Sequence, residues 1–106
     1  NISPAAVEAV LQKHPKVSQA CVVGVDDPES GQIVYAFVTL NAGANLEQFE
    51  QELAALARKE LPAYMVPGEF GVLPRLPTTG SGKVDRERLK WIAESSDEGT
   101  LAILMG

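Results

Sequence analysis

The residues with the clearest chemical potential lie in the stretch LPTTGSGKVDR, residues 76–86. Its prolines, threonines and glycines favour an irregular, exposed backbone, and Lys83 stands in it between Gly82 and Val84. A lysine on a glycine-rich loop can bring a mobile positive charge to a phosphate or carboxylate in a neighbouring site. The stretch therefore predicts a site for an anionic ligand, and the rest of the chain is predicted to hold this loop in place.

The main alternative for such a loop is the phosphate-binding P-loop, GxxxxGK followed by Ser or Thr. Gly82 and Lys83 supply half of that pattern, but Pro77 stands at the first glycine and Val84 at the hydroxyl residue, so a P-loop is rejected. The sequence shows no Ser-His-Asp or Cys-His arrangement and no cluster with metal-ligand spacing. Lys83 is the one candidate catalytic residue, and no metal site is predicted.

Length and charge narrow the class of protein. The chain has 106 residues, which fit one domain, and a net charge of −5, which argues against a nucleic-acid partner. Residues 74–90 nevertheless carry five basic side chains against two acidic ones, and this basic patch suits a small anionic ligand or an anionic partner surface. No apolar run is long enough to predict a membrane span, and no signal peptide is predicted. Cys21 is predicted to be buried, and a lone cysteine fits the cytoplasm; His14 is predicted to lie at the surface.

The elements that must position the loop follow from hydrophobic pattern and capping. Ser3 predicts the N-cap of a helix over residues 4–13, and Asp85 predicts the cap of a last helix. Residues 20–25 and 33–40 predict two strands joined as an antiparallel pair, and residues 70–73 a third strand. A stripe of Leu46, Phe49, Leu53 and Leu56 predicts a helix packed on the sheet. Residues 64–67 are predicted to be extended, with Tyr64 and Met65 as packing residues. The fold class is therefore α+β, a small two-layer sandwich of about three strands with helices packed on it.

Three segments together resemble motifs of the adenylate-forming superfamily, which comprises acyl-CoA synthetases, peptide-synthetase adenylation domains and luciferases. PTTGSGKVDR (77–86) resembles its tenth motif, LPAYMVP (61–67) its ninth, and NISPAAVE (1–8) the tail of its eighth, with Ala6 in place of a usual glutamate. The resemblance implies that residues 1–94 are the small C-terminal domain of such a ligase and residues 95–106 a linker or tail. It also implies a large N-terminal core elsewhere in the parent chain.

The resemblance implies a mobile lid for a two-step reaction. An acid and ATP first form an acyl- or aminoacyl-adenylate, with Lys83 as the catalytic residue and Ser81 and Gly82 beside it on the ATP/AMP side of the loop. The large core is expected to bind most of the ATP and the Mg²⁺. A rotation of the domain then withdraws Lys83 before the second step.

In that second step, the acyl group passes to the thiol of CoA or of a carrier protein's phosphopantetheine. The resemblance places Asn1, Ile2 and Ser3 near this thiol-step face. The isolated fragment is expected to be inactive. A non-catalytic structural or docking module of a multidomain synthase is the alternative.

For Arg86 three roles stay open: a member of the basic patch, a partner of Glu87, or a contact at the sheet edge.

Overall fold

The computed structural model describes residues 3–29, 31–43 and 46–95. A 3-10 helix, Ala63–Met65, precedes the last strand. The other elements, in chain order, are α1 (Pro4–Leu11), β1 (Val17–Asp27), β2 (Gly31–Leu40), α2 (Leu46–Glu60), β3 (Glu69–Val72) and α3 (Arg86–Ser95).

The three strands form one mixed sheet in the order β1-β2-β3. β1 and β2 are antiparallel, so the predicted pair is confirmed. β3 is parallel to β2, with Ala36 opposite Phe70 and Val38 opposite Val72. A parallel neighbour needs a crossover connection, and α2 supplies it between the two strands.

Both faces of the sheet are covered. Alternate side chains of β2 point to opposite faces, so Val34, Ala36 and Val38 join one apolar cluster while Tyr35 and Phe37 join another. The first cluster packs against α1 and α2, and the second packs against α3. The α+β class and the three-stranded sheet are confirmed. The expected two layers become three, because α3 covers the face opposite α1 and α2.

α1 begins as predicted and ends early. Ser3 caps the helix, its Oγ accepting the Ala6 N–H at 3.4 Å, and Pro4 occupies the first turn. The helix ends at Leu11 rather than Lys13, because Gln12 is the C-cap. Its buried residues are Val7, Val10 and Leu11, which share one face at helical spacing.

The buried stripe of α2 differs from the predicted one at its C-terminal end. Phe49 and Leu53 are buried, but the next buried position is Ala57, whereas Leu56 is only partly buried. The buried positions of α2 are therefore spaced four residues apart, slightly more than one helical turn of about 3.6 residues. Leu56, three residues after Leu53, lies to the side of this buried row. The side chain of Leu46 lies outside the described set.

The predicted extended stretch before β3 is only partly extended: Val66 has an extended backbone, but Tyr64 and Met65 do not. Residues 63–65 form a 3-10 turn, in which the Met65 N–H donates to the Pro62 carbonyl at 2.9 Å. Successive side chains on such a turn point about 120° apart. Met65 is therefore buried as predicted, while Tyr64 is 62% exposed and is not a packing residue.

The prediction of a surface position for His14 is wrong. The side chain is 8% exposed, and its Nε2 lies 2.6 Å from Glu52 Oε1 on α2. Its Nδ1 accepts the Lys16 N–H at 3.0 Å, which leaves the ring proton on Nε2 to be donated to Glu52. The histidine thus joins α2 to the turn after α1, and its partner lies 38 residues away in sequence.

Candidate functional site

The lysine loop is a short β-hairpin on the face of the sheet that carries α3. Thr78 and Val84 pair as an antiparallel bridge. Beyond that pair, the Thr79 N–H donates to the Lys83 carbonyl at 2.7 Å. Lys83 therefore stands at the end of a paired backbone segment rather than in an irregular loop.

Three residues, Gly80, Ser81 and Gly82, close this hairpin. The Gly82 N–H donates to the Thr79 carbonyl at 2.9 Å, and Gly82 has a φ of 87°. Neither Gly80 nor Ser81 has a positive φ. This is the pattern of a type I turn followed by a left-handed residue, a common three-residue hairpin connection. A side chain at Gly82 would strain the backbone directly before Lys83.

The lysine itself faces solvent. Lys83 is exposed, and within residues 3–29, 31–43 and 46–95 its ammonium group has no hydrogen bond or ion pair. The hydroxyls of Thr79 and Ser81 lie 3.0 Å apart on the same hairpin. The hairpin thus carries one cation and two hydroxyls, groups that can contact phosphate or carboxylate oxygens.

The base of the hairpin is anchored in the core. Leu76 is buried where the chain enters, and Leu89 is buried one turn into α3 where it leaves. At the base, the Asp85 N–H donates to the Pro77 carbonyl at 2.8 Å. The Asp85 carboxylate accepts the Arg88 N–H at 3.0 Å, which confirms the predicted helix cap. An exposed lysine is therefore carried on a fixed base.

Of the three roles open for Arg86, the structure gives it the contact at the sheet edge. Its guanidinium donates to the Val22 carbonyl on β1 at 3.1 Å and lies 3.0 Å from Glu8 Oε2 on α1. The same Glu8 oxygen accepts the Val22 N–H at 2.8 Å. The hydrogen bond to Glu8 raises the pKa of Arg86, so the guanidinium is charged at every practical pH.

Glu8 is the site residue that the sequence reasoning missed. It is the last residue of the segment NISPAAVE, and the sequence pattern assigns it no role. Its signal is its position beside the apolar stripe Val7, Val10 and Leu11, where an acid is placed to be partly buried and therefore paired. Its side chain is 15% exposed.

Cys21 is buried beside this pair, as predicted. Burial raises the pKa of its thiol; the Arg86 charge acts in the opposite direction, and Glu8 adds to the increase. The thiol is therefore neutral and protected near neutral pH, and the structure gives it no sign of a catalytic role.

A cavity of about 390 Å³ lies between the start of α1, the outer edge of β1 and the first turns of α3. Pro4, Gly24, Arg86 and Lys90 are among its lining residues, and Lys83 is not. Of the predicted thiol-step residues, Ser3 therefore sits at the N-terminus of α1, next to this cavity wall. Asn1 and Ile2 lie outside the described residues, as does the predicted linker from residue 96 onward.

Ser81, Gly82 and Lys83 are brought together on the hairpin tip, whereas Ser3 belongs to a different element. The described residues contain no group of three or more His, Cys, Asp or Glu side chains placed to hold a metal ion. Among the described helices, none is long and apolar enough to cross a membrane.

Known proteins resemble this chain in sequence. The family model described as the AMP-binding enzyme C-terminal domain matches residues 6–83. An acetyl-coenzyme A synthetase from Xylella fastidiosa is 43% identical over 107 residues, which cover 95% of this chain and 16% of that protein. One from Penicillium chrysogenum is 39% identical and covers 92% of this chain and 14% of its own length. The chain thus spans about one sixth of the length of these curated relatives.

Solved structures resemble it in fold. The amide bond synthetase of Marinactinospora thermotolerans superposes with a TM-score of 0.80 at 37% identity, over 86% of this chain and 18% of that chain. The acyl-CoA synthetase of Brucella canis superposes with a TM-score of 0.77 at 42% identity, over 86% of this chain and 17% of that chain.

Proposed function

Because the chain belongs to the AMP-binding enzyme C-terminal domain family, we propose that it is the mobile lid of an ATP-dependent, carboxylate-activating ligase. The observation that carries the proposal is the placement of Lys83: an exposed ammonium group at the end of a paired hairpin with a core-anchored base. A larger N-terminal core of the same chain supplies the rest of the site. The full-length chain that joins the core to this domain is called the parent enzyme below.

In the first step, a carboxylate oxygen attacks the α-phosphorus of ATP, and the bond to pyrophosphate breaks. Two anionic groups must approach each other, and a cation between them lowers their repulsion and stabilises charge in the transition state. Lys83 supplies that cation, with Ser81 and Gly82 on the ATP/AMP side. Mg²⁺ is bound mainly by the large core, together with most of the ATP.

In the second step, a thiol attacks the acyl carbon, AMP leaves, and a thioester forms. The relatives named acetyl-coenzyme A synthetase favour CoA as the acceptor over a carrier protein's phosphopantetheine. For this step the domain rotates, withdraws Lys83 and turns the N-terminal end of α1, with Asn1, Ile2 and Ser3, toward the thiol. Rotating a lid between two half-reactions is an established way for one cleft to serve both. We place the enzyme in the cytoplasm, where ATP and CoA are available.

The test is Lys83→Ala in the parent enzyme, with Lys16→Ala as the matched control, because Lys16 is an exposed lysine in the turn between α1 and β1. Carboxylate-dependent exchange of pyrophosphate into ATP reports the first step, and thioester formation from supplied acyl-adenylate reports the second. We expect Lys83→Ala to slow exchange by roughly 100-fold or more, about 3 kcal/mol, and to leave the second step intact.

Exchange at the wild-type rate in Lys83→Ala would reject the lid role of Lys83 and favour a non-catalytic spacer. The 106-residue chain alone is expected to show no exchange, since it lacks the acid-binding core.

A further inference from the structure

We infer that Glu8 and Arg86 are positioning residues for Lys83 and that they hold the hairpin and α1 as one rigid unit. We call this pair, with the Val22 backbone that it contacts, the edge clamp. The inference rests on the proposed function, because it assigns the clamp to the lysine-dependent step. Neither residue is placed in contact with the substrate.

The edge clamp is a closed set of contacts. Glu8 accepts the Val22 N–H at 2.8 Å through Oε2, and Arg86 donates to the Val22 carbonyl at 3.1 Å. The two side chains also contact each other, with Arg86 Nη1 lying 3.0 Å from Glu8 Oε2 and Nη2 donating to Glu8 Oε1 at 3.3 Å. Two side chains thus bond to both backbone groups of one strand residue and also form an ion pair with each other, in which one guanidinium N–H donates to the carboxylate.

Val22 is a suitable anchor because β1 is an edge strand of the sheet. In an antiparallel pair, the N–H and C=O of one residue point to the same side. Since both groups of Val22 bond to side chains, they point away from β2. An edge strand leaves such groups unpaired unless something covers them. The edge clamp covers them at this residue.

The position of the clamp gives it its mechanical role. α1 packs in the cluster on one face of the sheet, and α3 packs in the cluster on the other face. Glu8 belongs to α1 and Arg86 begins α3, so their pair closes around the sheet edge and joins the two faces. The two residues are 78 positions apart in sequence, and the contact fixes long-range geometry rather than local helix structure.

Arg86 follows Lys83 by three residues, and even a fully extended backbone of that length spans only about 10 Å. The intervening residues are constrained too: Val84 is paired with Thr78, and Asp85 is bonded to Pro77. A displacement of Arg86 therefore also displaces the backbone of Lys83. The clamp therefore fixes the position from which Lys83 projects.

The experiment uses Arg86→Lys, Glu8→Gln and the double variant in the parent enzyme, with Lys16→Ala and Lys83→Ala as controls. Arg86→Lys keeps the charge but removes the planar guanidinium that reaches both Val22 and Glu8, and Glu8→Gln removes the carboxylate but keeps an oxygen that can accept the Val22 N–H. Pyrophosphate exchange and thioester formation are measured for each variant. Hydrogen exchange at the Val22 amide is followed in the same proteins.

We expect Arg86→Lys to lower the kcat of pyrophosphate exchange by roughly tenfold or more, because small misplacements of a catalytic group are costly. The KM for the acid and for ATP should change by less than about threefold, and so should thioester formation. Glu8→Gln should have a smaller effect in the same direction. The double variant should lose less than the product of the two single losses, since the residues act as a unit. The Val22 amide should exchange faster in every clamp variant.

Three results would overturn the inference. Equal losses in both half-reactions would show a general folding role. Wild-type pyrophosphate exchange in the clamp variants, together with slowed pyrophosphate exchange in Lys83→Ala, would support the lid function but reject the clamp as a positioning device. Unchanged protection of the Val22 amide would show that the clamp does not hold the edge. Wild-type pyrophosphate exchange in Lys83→Ala would instead reject the proposed function, and the inference with it.

Discussion

Replacing Gly82 with alanine isolates what the hairpin backbone contributes to the placement of Lys83. Gly82 has a φ of 87°, and a Cβ built there meets nothing within 4 Å. The cost of the substitution is therefore conformational and owes nothing to a clash. Gly80 is a matched control two positions earlier in the same turn, because its φ is not in the left-handed region and a Cβ there also meets open space.

The magnitude follows from two opposing effects. A left-handed backbone costs an L-residue other than glycine about 1–2 kcal/mol. Replacing glycine by alanine also restricts the unfolded chain, which stabilises the fold by about 0.4–1 kcal/mol where the native φ is acceptable. We therefore expect Gly82→Ala to lower the free energy of unfolding by about 1 kcal/mol. Gly80→Ala should raise it by about 0.5 kcal/mol.

The assay is urea unfolding of the 106-residue chain, followed by circular dichroism, for wild type, both alanine variants and Gly82→Asn. Asparagine tolerates the left-handed region better than alanine does. The free energy of unfolding of Gly82→Asn should therefore lie between those of the wild type and Gly82→Ala. In the parent enzyme, Gly82→Ala should also slow pyrophosphate exchange more than Gly80→Ala, since the strain falls on the residue before Lys83. Equal free energies of unfolding for Gly82→Ala and Gly80→Ala would refute the argument, because the positive φ would then not be maintained.

Two further predictions concern the core. Leu53→Ala should lower the free energy of unfolding by about 2–5 kcal/mol, whereas Leu56→Ala should cost clearly less, because Leu53 is fully buried and Leu56 only partly; equal losses in urea titrations would contradict the burial of α2 described above. Because burial raises the pKa of the Cys21 thiol, the folded chain keeps this proton at pH values where the unfolded chain loses it, and stability must fall as the pH rises above the unfolded thiol pKa of about 8.5. Between pH 8 and 9.5 the free energy of unfolding of the wild type should fall by up to about 1 kcal/mol more than that of Cys21→Ala. Parallel pH profiles for the two proteins would contradict the raised thiol pKa.

The sequence alone determined the features that depend on neighbours along the chain. Ser3 and Asp85 were identified as helix caps because a cap bonds to an N–H within three residues. The two long apolar runs defined the antiparallel pair, since turn residues between β-branched runs act locally. Lys83 was singled out by its immediate glycine and proline context. Its motif also indicated the family that the comparison with known proteins confirms.

Some local features were beyond sequence reasoning even so. The hairpin contains two glycines, and only the backbone hydrogen bonds decide that Gly82, not Gly80, takes the left-handed conformation. The 3-10 turn at residues 63–65 sends Met65 inward and Tyr64 outward. The residue types alone do not reveal which of the two side chains is buried, since both are large and apolar enough to pack.

Only the tertiary structure decided the contacts that join distant segments. His14 is buried because Glu52 on α2 comes to lie against it, and no pattern near residue 14 could reveal that partner. The choice among three roles for Arg86 was settled by Glu8 and by the free edge of β1 at Val22. The physical reason is the same in both cases. Hydrogen bonds and ion pairs act over a few ångströms, and which residues come that close depends on how the helices pack across the two faces of the sheet.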